Sequence, residues 1–188
     1  LIVTGDPIAR GDRESIKSVF NFNSIKLMKY VQTMNREVFG NRPIYYGGAL
    51  NHNNGSADNI AARMRLKMEA GAQWFLTQPI YGQDDIDRLR ELKEKSGGRI
   101  IAGIMPLVSR KNALFIKNEM PGIHVPEHVL EQYEEGMSRE AYEDVAAAIS
   151  VDLMKRLEDV CDGYYMMTPF NRAALIKRII LQAKKELR

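Results

Sequence analysis

Short apolar runs alternate with helix-patterned segments along the whole chain, and this rhythm limits the fold more than any other feature. The runs are "LIVTG" at 1–5, "PIYYGG" at 43–48, "QWFLTQ" at 73–78, "IIAGIM" at 100–105 and "GYYMMT" at 163–168. Helical patterns are expected from Asn23 to about Arg36, over 57–70, over 84–95, from about Arg110, from about Glu127, over 138–160 and over 172–187. Each strand-like run is followed by at least one helix. Parallel strands need such a crossover, so the pattern predicts an α/β protein with a parallel sheet. Local punctuation agrees. Asn23 or Ser24 can cap the first helix, Gly71 can end the second, and Gly97-Gly98 can end the third. The Gly47-Gly48 pair is expected to loosen the second strand, and Pro79 to end the third.

Composition excludes several classes. The formal net charge is +3, with Lys and Arg interleaved among Asp and Glu. A nucleic-acid binder would concentrate its basic residues on one face, so no nucleic-acid partner is expected. No apolar run approaches the ~20 residues of a membrane helix, so no membrane partner is expected. The single cysteine, Cys161, rules out an internal disulfide and fits a reducing, cytoplasmic location. His124 and His128 have i,i+4 spacing, but Pro126 lies between them, and no metal is expected.

Polar residues gather at the ends of the apolar runs. Asp6 follows the first, Asn51 the second, Gln78 closes the third, Ser109 follows the fourth, and Thr168, Asn171 and Arg172 follow the fifth. Parallel α/β folds bind ligands at the C-terminal ends of their strands, which makes these positions a candidate site. Each has a plainer reading. Asp6 before Pro7 suits a turn, Gln78 suits a strand end, and Arg172 suits a first helical turn, though a cation is disfavoured there. Arg63 and Lys67 are i,i+4, so they share a helix face, either a ligand-facing or a solvated one.

The segments "VTGDP", "GGALN", "RMRLKMEAGAQWFLTQPIY", "IAGIMPLVSRKNALFIKNEMPGIHVP" and "MTPFNR" occur in this order. With them the whole chain resembles methylenetetrahydrofolate reductase, especially the reductase half of bacterial proteins that also carry a homocysteine methyltransferase domain. The resemblance implies a (β/α)8 TIM barrel containing FAD, and reduction of 5,10-methylenetetrahydrofolate to 5-methyltetrahydrofolate. It implies NADH, NADPH or an electron-carrying protein as reductant, a fused or associated homocysteine methyltransferase domain, and a homo-oligomer. The matches begin at the family's fourth strand. Residues 1–188 are therefore expected to be the C-terminal portion of one barrel, holding its last five strands, and inactive alone. The glutamate that serves the family as general acid has no counterpart among them.

By the same resemblance, Asp6 sits beside the flavin and the folate, where a carboxylate can stabilise the cationic iminium that accepts hydride. Thr4, Gly5, Asn21, Ala49, Asn53, Arg63 and Lys67 match positions near FAD, the last two near its diphosphate and adenosine. Gln78 matches the glutamine that reads the pterin edge. A carboxamide both donates and accepts, as that edge requires. Asn112 and Arg172 match residues on the folate. A scaffold homologue without catalysis is the alternative, and a proline dehydrogenase-like flavin barrel a third. The retained Asp6, Gln78 and Arg172 count against the scaffold, and "TQP" and "FNR" count against the third.

Overall fold

In the computed structural model, residues 1–4 and 22–187 are described. Among them is a four-stranded parallel sheet in the order β1-β2-β3-β4, with β1 at Gly48–Leu50, β2 at Phe75–Pro79, β3 at Ile100–Ile104 and β4 at Gly163–Met166. Sequence neighbours pair throughout, and the intervening chain supplies helices. These are α1 (Ser24–Met34), α2 (Ala57–Glu69), α3 (Gln83–Ser96), α4 (Arg110–Glu119), α5 (Glu127–Leu130), α6 (Arg139–Arg156) and α7 (Ala173–Glu186). The alternation read from sequence is therefore the architecture.

Capping residues set the helix starts. Asn23 Oδ1 accepts from Lys26 N at 2.9 Å, Ser109 Oγ from Asn112 N at 3.1 Å, and Ser138 Oγ from Ala141 N at 3.1 Å. Gly97, at φ 70°, closes α3 in the left-handed conformation that glycine adopts without steric cost. The helix expected over 138–160 stops earlier, at Arg156, and the one from Glu127 is a single turn.

Two expected strands are corrected. Among the described residues, Leu1–Thr4 contributes one parallel bridge, Ile2 to Gly48, with Ile2 N donating to Gly47 O at 2.9 Å, and the sheet has four strands where five were expected. The second strand is displaced from 43–48 to Gly48–Leu50. Upstream, Ile44 bonds the Asn35 side chain instead of a neighbouring strand. Its N–H donates to Oδ1 at 2.8 Å and its carbonyl accepts from Nδ2 at 2.9 Å. The two glycines do not loosen the strand. A Cβ on Gly47 would lie 2.2 Å from the Trp74 ring and 2.4 Å from its carbonyl, so the missing side chain is what lets the backbones approach and the ladder begin.

Strand alternation separates two faces. Leu50, Phe75, Ile100, Ala102 and Ile104 are buried against α2, α3, α6 and α7, with Met64, Leu89, Leu157 and Ile179 among their neighbours in the core. A smaller cluster around Tyr81, Leu107, Val125 and Tyr133 seats α4 and α5. The opposite face carries Ala49, Leu76, Gln78, Ile101 and Tyr165. Ala49 is exposed and the other four are half-buried.

Candidate functional site

Around the end of β1 lie two adjoining features, a cleft that runs along α2 from Asn59 to Lys67 and the open sheet face. The cleft has a volume of about 590 Å³ and is lined by Ala49, Asn51, Asn54, Asn59, Arg63 and Lys67, with apolar walls from Ile25, Leu50, Ile60 and Leu66. Helical spacing puts Arg63 and Lys67 on one face, and the helix brings that face to the end of β1. Arg63 is exposed, and among the described residues it makes no ion pair. Lys67 is 8 % exposed, and its Nζ donates to Ala49 O at 2.6 Å. The alternative of a solvated basic face therefore fails for Lys67. Burial, with Arg63 adding repulsion, brings the Lys67 amine down to about 8. Gly48 leaves the space its stem occupies, since a Cβ there would lie 3.1 Å from Lys67 Cδ.

Ala49 joins the cleft to the sheet face. In register, Ala49 is opposite Leu76, and Gln78 stands two residues further along the same face. β2 does not end before its proline. It runs through Pro79, and the ladder to β3 shifts between Leu76 and Pro79. Proline has no N–H for the ladder, and inside a sheet it is accommodated at such a bulge. Thr77 and Gln78, the two residues inside this shift, stand opposite the single residue Ala102 of β3.

The other expected site residues are spread around this face. Thr4 is half-buried, two residues beyond the Ile2 bridge and level with Leu50. Gly5, Asp6 and Asn21 lie outside the described residues. Asn112 Oδ1 accepts from Val108 N at 3.1 Å while Asn112 N donates to the Ser109 cap, so part of its amide is committed to shaping the start of α4. Arg172 is positioned by the turn Pro169–Asn171, in which Phe170 and Asn171 take φ of 53° and 56°. Two consecutive non-glycine residues in the left-handed region are uncommon, and Phe170 is 75 % exposed. Arg172 donates to Glu143 Oε1 at 2.7 Å, and the two cations Arg139 and Arg172 hold the Glu143 carboxyl below its usual range.

Asn53 is turned away from the cleft. Its Nδ2 donates to Asp85 Oδ1 at 3.0 Å and to Gly122 O at 3.4 Å. Asp85 also meets His52 Nε2 at 3.1 Å, and both of those side chains are buried. Burial alone would raise the Asp85 pKa, but hydrogen bonds from His52 and Asn53 outweigh it and hold the group below its ordinary value. This network pins the 51–55 loop from behind, while Asn51 and Asn54 line the cleft in front. The resemblance assigns Asn53 to the cofactor, whereas in the structure its neighbours Asn51 and Asn54 line the cleft. Four polar residues in a row, "NHNN", give no periodic signal for which of them faces inward.

Among the described residues no cluster of His, Cys, Asp or Glu could hold a metal, and no helix is long and apolar enough to cross a membrane. No curated protein matches the sequence. Among solved structures, the chain is similar to an uncharacterized protein from Clostridium thermocellum that binds two copies of 5-methyl-5,6,7,8-tetrahydrofolic acid. The TM-score is 0.59 at 16 % identity, over 88 % of this chain and 59 % of that one. The chain thus spans about 59 % of the length of the structure it matches. At that identity the likeness concerns the fold. The sequence itself matches the methylenetetrahydrofolate reductase family over residues 1–184, so this chain belongs to that family.

Proposed function

We propose that this chain is the C-terminal portion of an FAD-binding (β/α)8 barrel that reduces 5,10-methylenetetrahydrofolate to 5-methyltetrahydrofolate. The observation that carries the reading is the cleft at the strand ends, where a buried amine and an exposed guanidinium stand one helical turn apart. Family membership and the folate bound by the Clostridium thermocellum protein support it. Among the described residues, four parallel strands and one bridge are too few to close a barrel, which supports the reading of a portion.

The residues fit FAD. Two cations one turn apart suit a diphosphate, three asparagines suit its sugar and adenine edges, and Gly48 leaves the room that Lys67 needs. When bound, FAD supplies the hydride. In this reading Lys67 and Arg63 hold the diphosphate, and Thr4, Gly5, Asn21 and Ala49 flank the cofactor. Asn53 acts indirectly, by fixing the loop that presents Asn51 and Asn54. Asp6 contributes a carboxylate that stabilises positive charge on the one-carbon unit. Gln78 pairs with the pterin edge through its donor and its acceptor. Asn112 offers its amide nitrogen. Arg172 offers its guanidinium to a folate carboxylate, in exchange for Glu143. The reductant is NADH, NADPH or an electron-carrying protein, and a homocysteine methyltransferase domain is the partner that would use the product.

The test is the visible spectrum of the complete purified protein of which this chain is a portion. Flavin bands should be present, bleach on anaerobic addition of NADH or NADPH, and return when methylenetetrahydrofolate is added. A colourless protein that takes up no FAD on reconstitution overturns the reading.

A further inference from the structure

Gln78 is held by an arrangement that reaches across three strands. Tyr165, on β4, lies on the open face and extends over β3. Its Oη donates to Thr77 O on β2 at 2.6 Å. The ring passes over Gly103, where a Cβ would come within 2.9 Å of Tyr165 Oη and 3.0 Å of its Cζ. Only a glycine at 103 leaves that path open. Thr77 closes the arrangement from its other side. Its Oγ1 accepts from Gly103 N at 2.9 Å and donates to Gln78 O at 2.6 Å. These bonds fall inside the stretch where the β2–β3 ladder shifts, between Leu76 and Pro79. They take the place of the ladder bonds that the bulge and the proline remove.

We infer that Tyr165, Gly103 and Thr77 form a latch that sets the peptide at Thr77–Gln78, and thereby aims the Gln78 carboxamide at its ligand. Tyr165 is a positioning residue, and this role rests on the reading that Gln78 recognises the pterin. Without the latch the two-residue bulge between Leu76 and Pro79 can settle in more than one register, and the carboxamide would share its time among several directions. A single donor–acceptor pair recognises a ring edge only if its plane is fixed.

The test is equilibrium dialysis of 5-methyltetrahydrofolate with the complete flavin-loaded protein, as wild type, Tyr165→Phe, Gln78→Ala and the double variant. Tyr165→Phe keeps the ring and removes one hydrogen bond. It is expected to raise Kd about fivefold, the effect of one such bond. In the Gln78→Ala background the same change should have no further effect, because its consequence passes through Gln78. Flavin absorbance and melting temperature check that each variant is folded. Should Tyr165→Phe fail that check, Thr77→Val removes the hydroxyl and Thr77→Ser restores it, with the same expected pattern. A silent Tyr165→Phe beside a weakened Gln78→Ala overturns the latch alone. So does a Tyr165→Phe effect of equal size in both backgrounds. A silent Gln78→Ala overturns the pterin reading, and the latch with it.

Discussion

Lys67 shows how one side chain can be tuned by the helix that carries it. Its stem is buried between α2 and β1, its amine bonds Ala49 O, and burial brings its pKa down to about 8. The sign of the linkage follows. The folded state disfavours the charged amine, so the unfolded chain binds more protons between about pH 8 and pH 10.5, and stability rises with pH across that window. An anionic ligand has the opposite preference, because it needs the proton on Lys67. Affinity for FAD should therefore fall as pH rises through about 8, with proton uptake on binding above it, which isothermal titration in buffers of different ionisation enthalpy would detect. Lys67→Met keeps an unbranched stem of similar length and removes the charge. It is expected to weaken FAD binding about tenfold or more, the effect of a lost charge-assisted bond, without lowering the melting temperature. A variant that melts much lower, with unchanged FAD affinity, would show that Lys67 is structural.

At the scale of elements, the start of β1 is decided by close approach and not by residue preference. Ile44, Tyr45 and Tyr46 have the β-branched and aromatic character of a strand, yet Ile44 is bonded to Asn35 and the ladder begins at Gly48. Gly47→Ala would place a methyl group 2.2 Å from the Trp74 ring, which neither backbone can accommodate in place. The expected cost is about 2 kcal/mol, in the range for overpacking a well-filled site. Trp74 is the one tryptophan of the chain, so its fluorescence reports on this contact directly during urea unfolding. An unchanged midpoint would mean that β1 slides freely against β2. The bulge in β2 follows the same logic. Pro79 is legible in the sequence as a break, but whether it ends the strand or bends it depends on whether β3 and β4 supply replacement bonds. They do, through Gly103 N and Tyr165 Oη.

At the scale of the whole molecule, the sheet has one face packed against helices and one face open among the described residues, and it has two edges. β2 and β3 are paired on both sides, while β4 is paired on one. Amide exchange should therefore be slowest in Phe75–Leu76 and Ile101–Ile104 and faster in β4, by the rule that protection follows the depth of the opening needed. Uniform protection across all four strands would mean that a further segment covers the β4 edge. Some of this arrangement was determined by the sequence alone: the α/β class, the parallel pairing, most helix ends, and the pairing of Arg63 with Lys67 on one face. These follow from periodicity and capping, which act over a few residues. The tertiary structure alone decided which asparagine of "NHNN" turns inward, that Leu1–Thr4 makes a single bridge, that Arg172 is met by Glu143, and that Tyr165 reaches Thr77 across Gly103. Each of these depends on a partner distant in the chain, and local patterns carry no record of which distant atom will come within bonding distance.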